Sequence, residues 1–206
     1  MNKKIFNKMY RKEEFYKHYV EYCQKLENLY DSINVEDVLL VLIAIIETFK
    51  RGNTMFICGN GGSAATASHM QVDFTYFIRH FTKYKPRILS LTDHVPMITA
   101  IGNDCSFDDI YKEQLRGIMH EGDTVICISA SGNSENIIRA AEYANEHGAL
   151  SIGWVGFDGG RLKKVCRMVL HNESPKGDYG PIEDLHMFYV HLLVNYLGKD
   201  EEFLSL

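Results

Sequence analysis

The stretch FICGNGGSAATASHMQVD, residues 56–73, decides the fold. A short apolar run, TMFICG, stops at Gly59-Asn60-Gly61-Gly62-Ser63. The segment after it, SAATASHMQVDFTYFI, reads at helical spacing. Strand, glycine loop and helix in that order open a parallel α/β unit. Glycines let the backbone approach a ligand and present its N–H groups. The helix that follows aims its N-terminal donors and its positive dipole end at the same point. Such a loop suits a phosphate, and it also serves as a plain tight turn.

Working outward, the pattern repeats. RILSLT, DTVICISA, ALSIGWVG and RMVLHN read as further strands. VPMITAIGN, FDDIYKEQLRGIM, SENIIRAAEYANEHG, GRLKKVC and PIEDLHMFYVHLLVNYLG read as the helices between and after them. Five short apolar strands alternating with helices predict a five-stranded parallel sheet flanked by helices on both faces, joined by right-handed crossovers. Upstream, residues 11–31 carry Phe15, Tyr19, Cys23 and Leu26 at helical spacing. Residues 35–50 do the same with Val38, Leu39, Leu42, Ile45 and Ile46, and end at a capping Arg51-Gly52. The division expected is an N-terminal helical arm over 1–52 and an α/β domain over 53–206.

The third strand repeats the device of the first. ISASGNSEN places Ser129, Ser131 and Ser134 beside a glycine turn at the start of a helix. Ser134 or Asn133 would also serve as an N-cap. Two such loops at the carboxyl ends of parallel strands fall where open α/β sheets bind ligands. Gly59-x-Gly61-x-x-Ala64 fits a loose dinucleotide fingerprint, but the acidic residue due about 20 positions on is not well placed. No Gly-Lys-Ser/Thr follows the glycines, so Walker A is absent. Small neutral hydroxyls suit a single sugar phosphate.

Acid–base and metal candidates lie on two helices. His69 and Asp73 are i and i+4 and share a face. The last helix carries Glu183, Asp184, His186 and His191 in an otherwise apolar segment, and buried groups of this kind need partners. Spacing favours Glu183 with His186, at i and i+3. His191 lies roughly 80° around the helix from Glu183. If the helices meet, a carboxylate and a histidine from each make an N2O2 set suited to zinc or another divalent first-row metal. Glu-x-x-His occurs once, where a di-iron bundle needs two copies.

Composition bounds the rest. The 206 residues are 46% hydrophobic and 24% charged, with a net charge of −5. These values describe an ordinary soluble domain without a broad nucleic-acid surface. Cys23, Cys58, Cys105, Cys127 and Cys166 are scattered and form no CxxC, which reads as reduced thiols in a cytoplasmic protein. The N-terminus has charges throughout and no signal-peptide core, and no apolar run is long enough to span a membrane. The basic residues there (Lys3, Lys4, Lys8, Arg11 and Lys12) read as solvated.

Together CGNGGSAATASHMQVD, AIGND, ISASGNSENIIRAA, GFDGGRL and PIEDLHMFYVH resemble sugar isomerase (SIS) domain proteins, and most closely the phosphoheptose isomerase family. The resemblance runs over nearly the whole chain. It implies a SIS-type three-layer α/β sandwich with an N-terminal helical arm. It implies an aldose–ketose isomerase that converts sedoheptulose 7-phosphate to D-glycero-D-manno-heptose 7-phosphate through an enediol, for lipopolysaccharide or capsule heptose. It further implies a cytoplasmic homotetramer with active sites between subunits and one Zn²⁺ per subunit, without nucleic-acid or membrane partners. Carried over residue by residue, Asn60, Gly61, Gly62 and Ser63 bind substrate, as do Ser129, Ala130, Ser131 and Ser134. Asn103 and Asp104 touch the sugar hydroxyls. His69, Asp73, Glu183 and His191 hold zinc, Asp73 and Glu183 also meet the substrate, and Asp73 and His191 form the acid–base pair. The resemblance thus selects His191 where spacing favours His186.

The chain departs from the family pattern at three places. Asp73 stands where glutamate is usual and Glu183 where glutamine is usual. Phe77 takes the place of an arginine, with Arg79 near but out of register. Asp73 is one methylene shorter, and Glu183 adds a negative charge that strengthens metal binding. The competing class is a non-catalytic SIS protein that binds phosphosugars as a regulator or assists replication initiation. That class predicts the serine loops without a complete metal set. A dinucleotide oxidoreductase would instead bind NAD(H).

Overall fold

In a computed structural model of the chain, residue 3, residues 11–81 and residues 85–199 are described. The chain opens with α1 (Lys12–Asp31) and α2 (Val35–Lys50). Asn34 caps α2 by accepting the Glu36 N–H, and Glu36 and Asp37 oppose the helix dipole in its first turn. The chain leaves α2 through Gly52 at φ +72°, the left-handed conformation that favours glycine. The α/β succession follows: β1 (Thr54–Gly59), α3 (Gly62–Phe81), β2 (Arg87–Ser90), α4 (Val95–Asp104), a 3₁₀ turn (Phe107–Asp109) and α5 (Ile110–Ile118). After it come β3 (Thr124–Ser129), α6 (Glu135–Glu146), β4 (Leu150–Val155), α7 (Leu162–Val165), β5 (Met168–His171) and α8 (Tyr179–Leu197).

All five strands are parallel, in the order β2-β1-β3-β4-β5. Successive side chains of a strand point to opposite faces. Met55 and Ile57 therefore join one core and Phe56 and Cys58 the other. The first face is covered by α2, α3 and α8, which bury Ile45, Phe74 and Tyr189 in one core with Trp154. The second is covered by α5, α6 and α7, through Leu115, Ile138 and Leu162. The result is the three-layer sandwich expected from the strand and helix alternation.

The two N-terminal helices differ. A stripe of α2 (Val38, Val41, Leu42, Ile45 and Phe49) is buried in the first core. Only Leu29 of α1 is buried. Instead α1 lies on α8, where the Tyr22 hydroxyl donates to Asp184 Oδ2 at 2.6 Å and Lys25 pairs with Asp178 at 2.8 Å. Lys3, Arg11 and Lys12 are exposed, while Lys4 and Lys8 lie outside the described residues.

The strand order reverses between β1 and β3, so the crevice outside their carboxyl ends is where a ligand of this topology binds. The order is the 2-1-3-4-5 doubly-wound one and not the 3-2-1-4-5-6 order of dinucleotide folds. All five cysteines are free thiols. Among the described residues no helix is long and apolar enough to cross a membrane.

Candidate active site

The two serine loops face each other across that crevice. Gly61 turns the first loop at φ +56°. Gly62 leaves room that a Cβ would take from the Glu183 carboxylate, so α8 approaches α3 closely here. In the second loop Gly132 stands at φ +62°, and a Cβ on it would strike the Gly159 carbonyl. Asn133 Oδ1 accepts the Arg161 N–H at 3.2 Å, which ties this loop to the GFDGG segment after β4.

Between the loops lies a cavity of about 140 Å³, lined by Asn60, Ser63, Ile128, Ser129, Ala130, Ser131, Ser134, Tyr179 and Glu183. Its volume is below the roughly 300–1,000 Å³ of a whole ligand pocket, so it suits one end of a ligand. Ser63 and Ser129 are buried. Ser129 Oγ accepts the Gly132 N–H at 3.2 Å and Ser131 Oγ the Asn133 N–H at 3.3 Å, which sets both hydroxyls in place. Ser134 occupies the N-cap position of α6, yet its side chain makes no capping bond. The capping role open to it in the sequence is not used, and its hydroxyl is left for the cavity. With the N-terminus of α6 behind it, the cavity presents hydroxyls and a positive dipole end to an anion.

A second group forms where α3 crosses α8. His69 Nε2 lies 3.2 Å from Asp73 Oδ2 and 2.9 Å from His191 Nε2. His191 Nε2 is 4.0 Å from Asp73 Oδ2, and the two imidazole rings meet edge to face at 87°. These three donors can hold a metal ion. Zn–N and Zn–O bonds of about 2.0–2.1 Å in a tetrahedron put neighbouring donors roughly 3.3–3.4 Å apart. The observed separations straddle that value. As ligands, two imidazoles and one carboxylate offer a single negative charge, so a bound divalent cation keeps one net positive charge, as a Lewis acid requires. The donor set therefore fits zinc, with three protein ligands and an open fourth position, the pattern of catalytic zinc.

The expectation that Glu183 pairs with His186 is overturned. His186 is buried against Trp154, with ring centroids 6.2 Å apart, and its Nδ1 has no partner. Burial lowers its pKa to about 3, which keeps it neutral. The apolar stripe of α8 runs through Ile182, Leu185, Tyr189, Val190 and Leu193, and His186 sits on that stripe. His191 lies off it and reaches His69.

Glu183 does not join the three-donor group. It faces Gly62 and the serine cavity, where burial and the adjoining Asp184 raise its pKa. Asn103 and Asp104 close α4 on an exposed surface, with Asn103 Nδ2 donating to Asp104 Oδ1 at 2.8 Å. Neither lines the cavity nor joins the donor group. The side chains of Phe77 and Arg79 lie outside the described residues. Tyr179 is a lining residue that sequence reasoning misses. Its ring stands edge-on to Phe157 at 5.0 Å, and no periodicity marks the first residue of a helix.

Residues 14–156 match the SIS domain family. A phosphoheptose isomerase of Clostridium acetobutylicum is 36% identical over 172 residues, covering 84% of this chain and 86% of its own length. One of Nitratiruptor is 32% identical over 191 residues, covering 93% of this chain and 99% of its own length. The solved phosphoheptose isomerase of Neisseria gonorrhoeae superposes with a TM-score of 0.81 at 27% identity, over 91% of this chain and 98% of that one.

Proposed function

The chain belongs to the SIS-domain family and, within it, to the phosphoheptose isomerases, and from that membership we propose that it interconverts sedoheptulose 7-phosphate and D-glycero-D-manno-heptose 7-phosphate. The observation that carries this reading is the placement of two sites along one helix. Tyr179 and Glu183 of α8 line the serine cavity, and His191 stands in the donor group eight residues further on, about 12 Å along the axis. A sugar phosphate of this length lays its phosphate in the cavity and its reacting carbons near Asp73 and His191. A non-catalytic phosphosugar binder needs only the cavity, and the donor group favours the enzyme.

The reaction moves a proton between C1 and C2 through a cis-enediol. The serine hydroxyls and the α6 N-terminus anchor the phosphate, which orients the far end of the sugar. Asp73 takes the carbon-bound proton. Its Oδ2 stands in the donor group, which leaves Oδ1 for that task. His191 passes a proton to and from the carbonyl oxygen through Nδ1, because its Nε2 stands in the donor group. A zinc ion held by His69, Asp73 and His191 would supply a Lewis acid for the developing enediolate.

Asn103 and Asp104 are exposed and belong neither to this chain's cavity lining nor to its donor group. We assign them to the site of a neighbouring subunit in a cytoplasmic homotetramer, where they touch the sugar hydroxyls. The exposed apolar side chains of Val20, Leu39 and Ile43 on α1 and α2 support such an assembly. The product would feed heptose synthesis for lipopolysaccharide or capsule.

Asp73→Asn and His191→Ala test the assignment. Each is expected to cut turnover of sedoheptulose 7-phosphate by about 10²-fold or more, the weight of a general acid or base. Full activity in both variants would overturn it.

A further inference from the structure

The two halves of the phosphate cavity come from different loops, and a buried side chain joins them. Asn60 of the first loop lines the cavity. Its Nδ2 donates to Asn136 Oδ1 at 2.8 Å, and Asn136 Nδ2 donates back to Asn60 Oδ1 at 3.0 Å. This is a closed amide pair with both partners satisfied by each other. Asn136 lies in the first turn of α6, directly behind the second loop. It is 2% exposed and does not line the cavity. Beneath the pair, the Tyr111 hydroxyl of α5 donates to the Gly59 carbonyl and lies 3.3 Å from Asn60 Oδ1. Burial pushes the Tyr111 phenol far up, so its proton is kept.

Asparagine is a poor helix former, and a buried amide is unfavourable unless it is bonded. Its neighbours on the buried face of α6 are Ile137, Ile138, Ala140 and Ala141. An apolar residue would pack at 136 at least as well if packing were the only demand. The pairing sets the distance between Asn60 and the loop of Ser129, Ser131 and Ser134. It also fixes the rotamer of an amide that would otherwise turn freely on a glycine-flanked loop.

We infer that Asn136 is a positioning residue of the phosphate site: acting through Asn60, it locks the two loops at the spacing that grips the sugar phosphate. The inference rests on the isomerase reading only for its kinetic readout. It makes a specific demand. If Asn136 works through Asn60, its loss has no further effect once Asn60 has gone.

The experiment is a double-mutant cycle on the full chain with Asn60→Ala, Asn136→Ala and the pair. Sedoheptulose 7-phosphate turnover and thermal melting are both recorded. Asn136→Ala is expected to raise KM roughly tenfold, the weight of an aligned hydrogen bond in a dry site, with kcat nearly unchanged. The double variant should match Asn60→Ala alone. Losses that multiply, or a lowered melting temperature with unchanged KM, would overturn the inference. Asn136→Asp guards against misfolding, because it keeps the shape and an acid suits the first turn of a helix. It removes the N–H that Asn136 donates to Asn60 Oδ1 and should also raise KM. If the unmutated chain does not turn the sugar over, the isomerase reading fails and the inference is read by binding. Inorganic phosphate is then titrated by thermal shift, and its affinity must fall in Asn136→Ala and fall no further in the pair.

Discussion

His186 and His191 sit five residues apart on α8 and have opposite chemistry. His191 is half-exposed and faces His69 and Asp73, while His186 is buried with an unpartnered Nδ1. The native His186 has its pKa lowered to about 3, against 6.5 for the free side chain. Between those values the unfolded chain binds a proton that the native chain refuses. Stability is therefore full above about pH 6.5 and falls as the pH drops toward 3, by at most roughly 1.4 kcal/mol per pH unit. His186→Leu removes both the titration and the orphaned nitrogen. The variant is expected to flatten the decline of Tm between about pH 6 and pH 4. An unchanged acid slope in thermal melts would show that His186 is not held neutral. At Asp73 the shorter side chain still brings Oδ2 to 3.2 Å from His69, so the loss of one methylene relative to the family pattern does not break the donor group.

At the scale of elements, the second serine loop depends on Gly132. Its φ of +62° and the Gly159 carbonyl, which stands where a Cβ would go, leave no place for a side chain. Gly132→Ala strains a backbone that the GFDGG segment cannot release, at about 1–3 kcal/mol. For a chain of this size each kcal/mol lowers Tm by roughly 2–4 °C, so a fall of several degrees is expected in a thermal melt. A Tm equal to that of the unmutated chain would mean that the two loops are not in contact. The strands and their loops were legible in the sequence because apolar runs end sharply at glycine and serine, as at Gly59 and Ser129. The His69/Asp73 pair was legible from i, i+4 spacing. The choice of histidine on α8 was not, since spacing from Glu183 alone ignores which face is buried. The stripe Ile182, Leu185, Tyr189, Val190 and Leu193, followed at i+3 and i+4, puts His186 inside and leaves His191 out. The outward turn of Glu183 to the serine cavity was illegible, because it follows from the close approach of α8 to Gly62, a contact between residues 121 positions apart. The Asn60–Asn136 pair was hidden for the same reason.

At the scale of the whole molecule, α1 presents Phe15, Tyr16 and Val20 to solvent, and α2 presents Leu39, Leu40 and Ile43. Apolar surface of this extent on adjoining helices calls for a partner, and a second copy of the chain is the partner proposed. Light scattering of the purified chain is expected to give a tetramer. Leu39→Lys, at the outward face of α2, should dissociate it, and turnover should fall with it because Asn103 and Asp104 then have no neighbouring site to serve. A monomer with full activity would contradict the shared-site arrangement. The cavity, the donor group and the surface all serve one claim, that this chain moves a proton between C1 and C2 of a seven-carbon sugar phosphate. The most direct test is to incubate the purified chain with sedoheptulose 7-phosphate in D2O and follow the mixture by NMR. New aldose signals with deuterium at C2 are expected, the mark of an enediol formed by proton abstraction. Unchanged ketose with no deuterium incorporated, under conditions where the sugar phosphate binds, would contradict it.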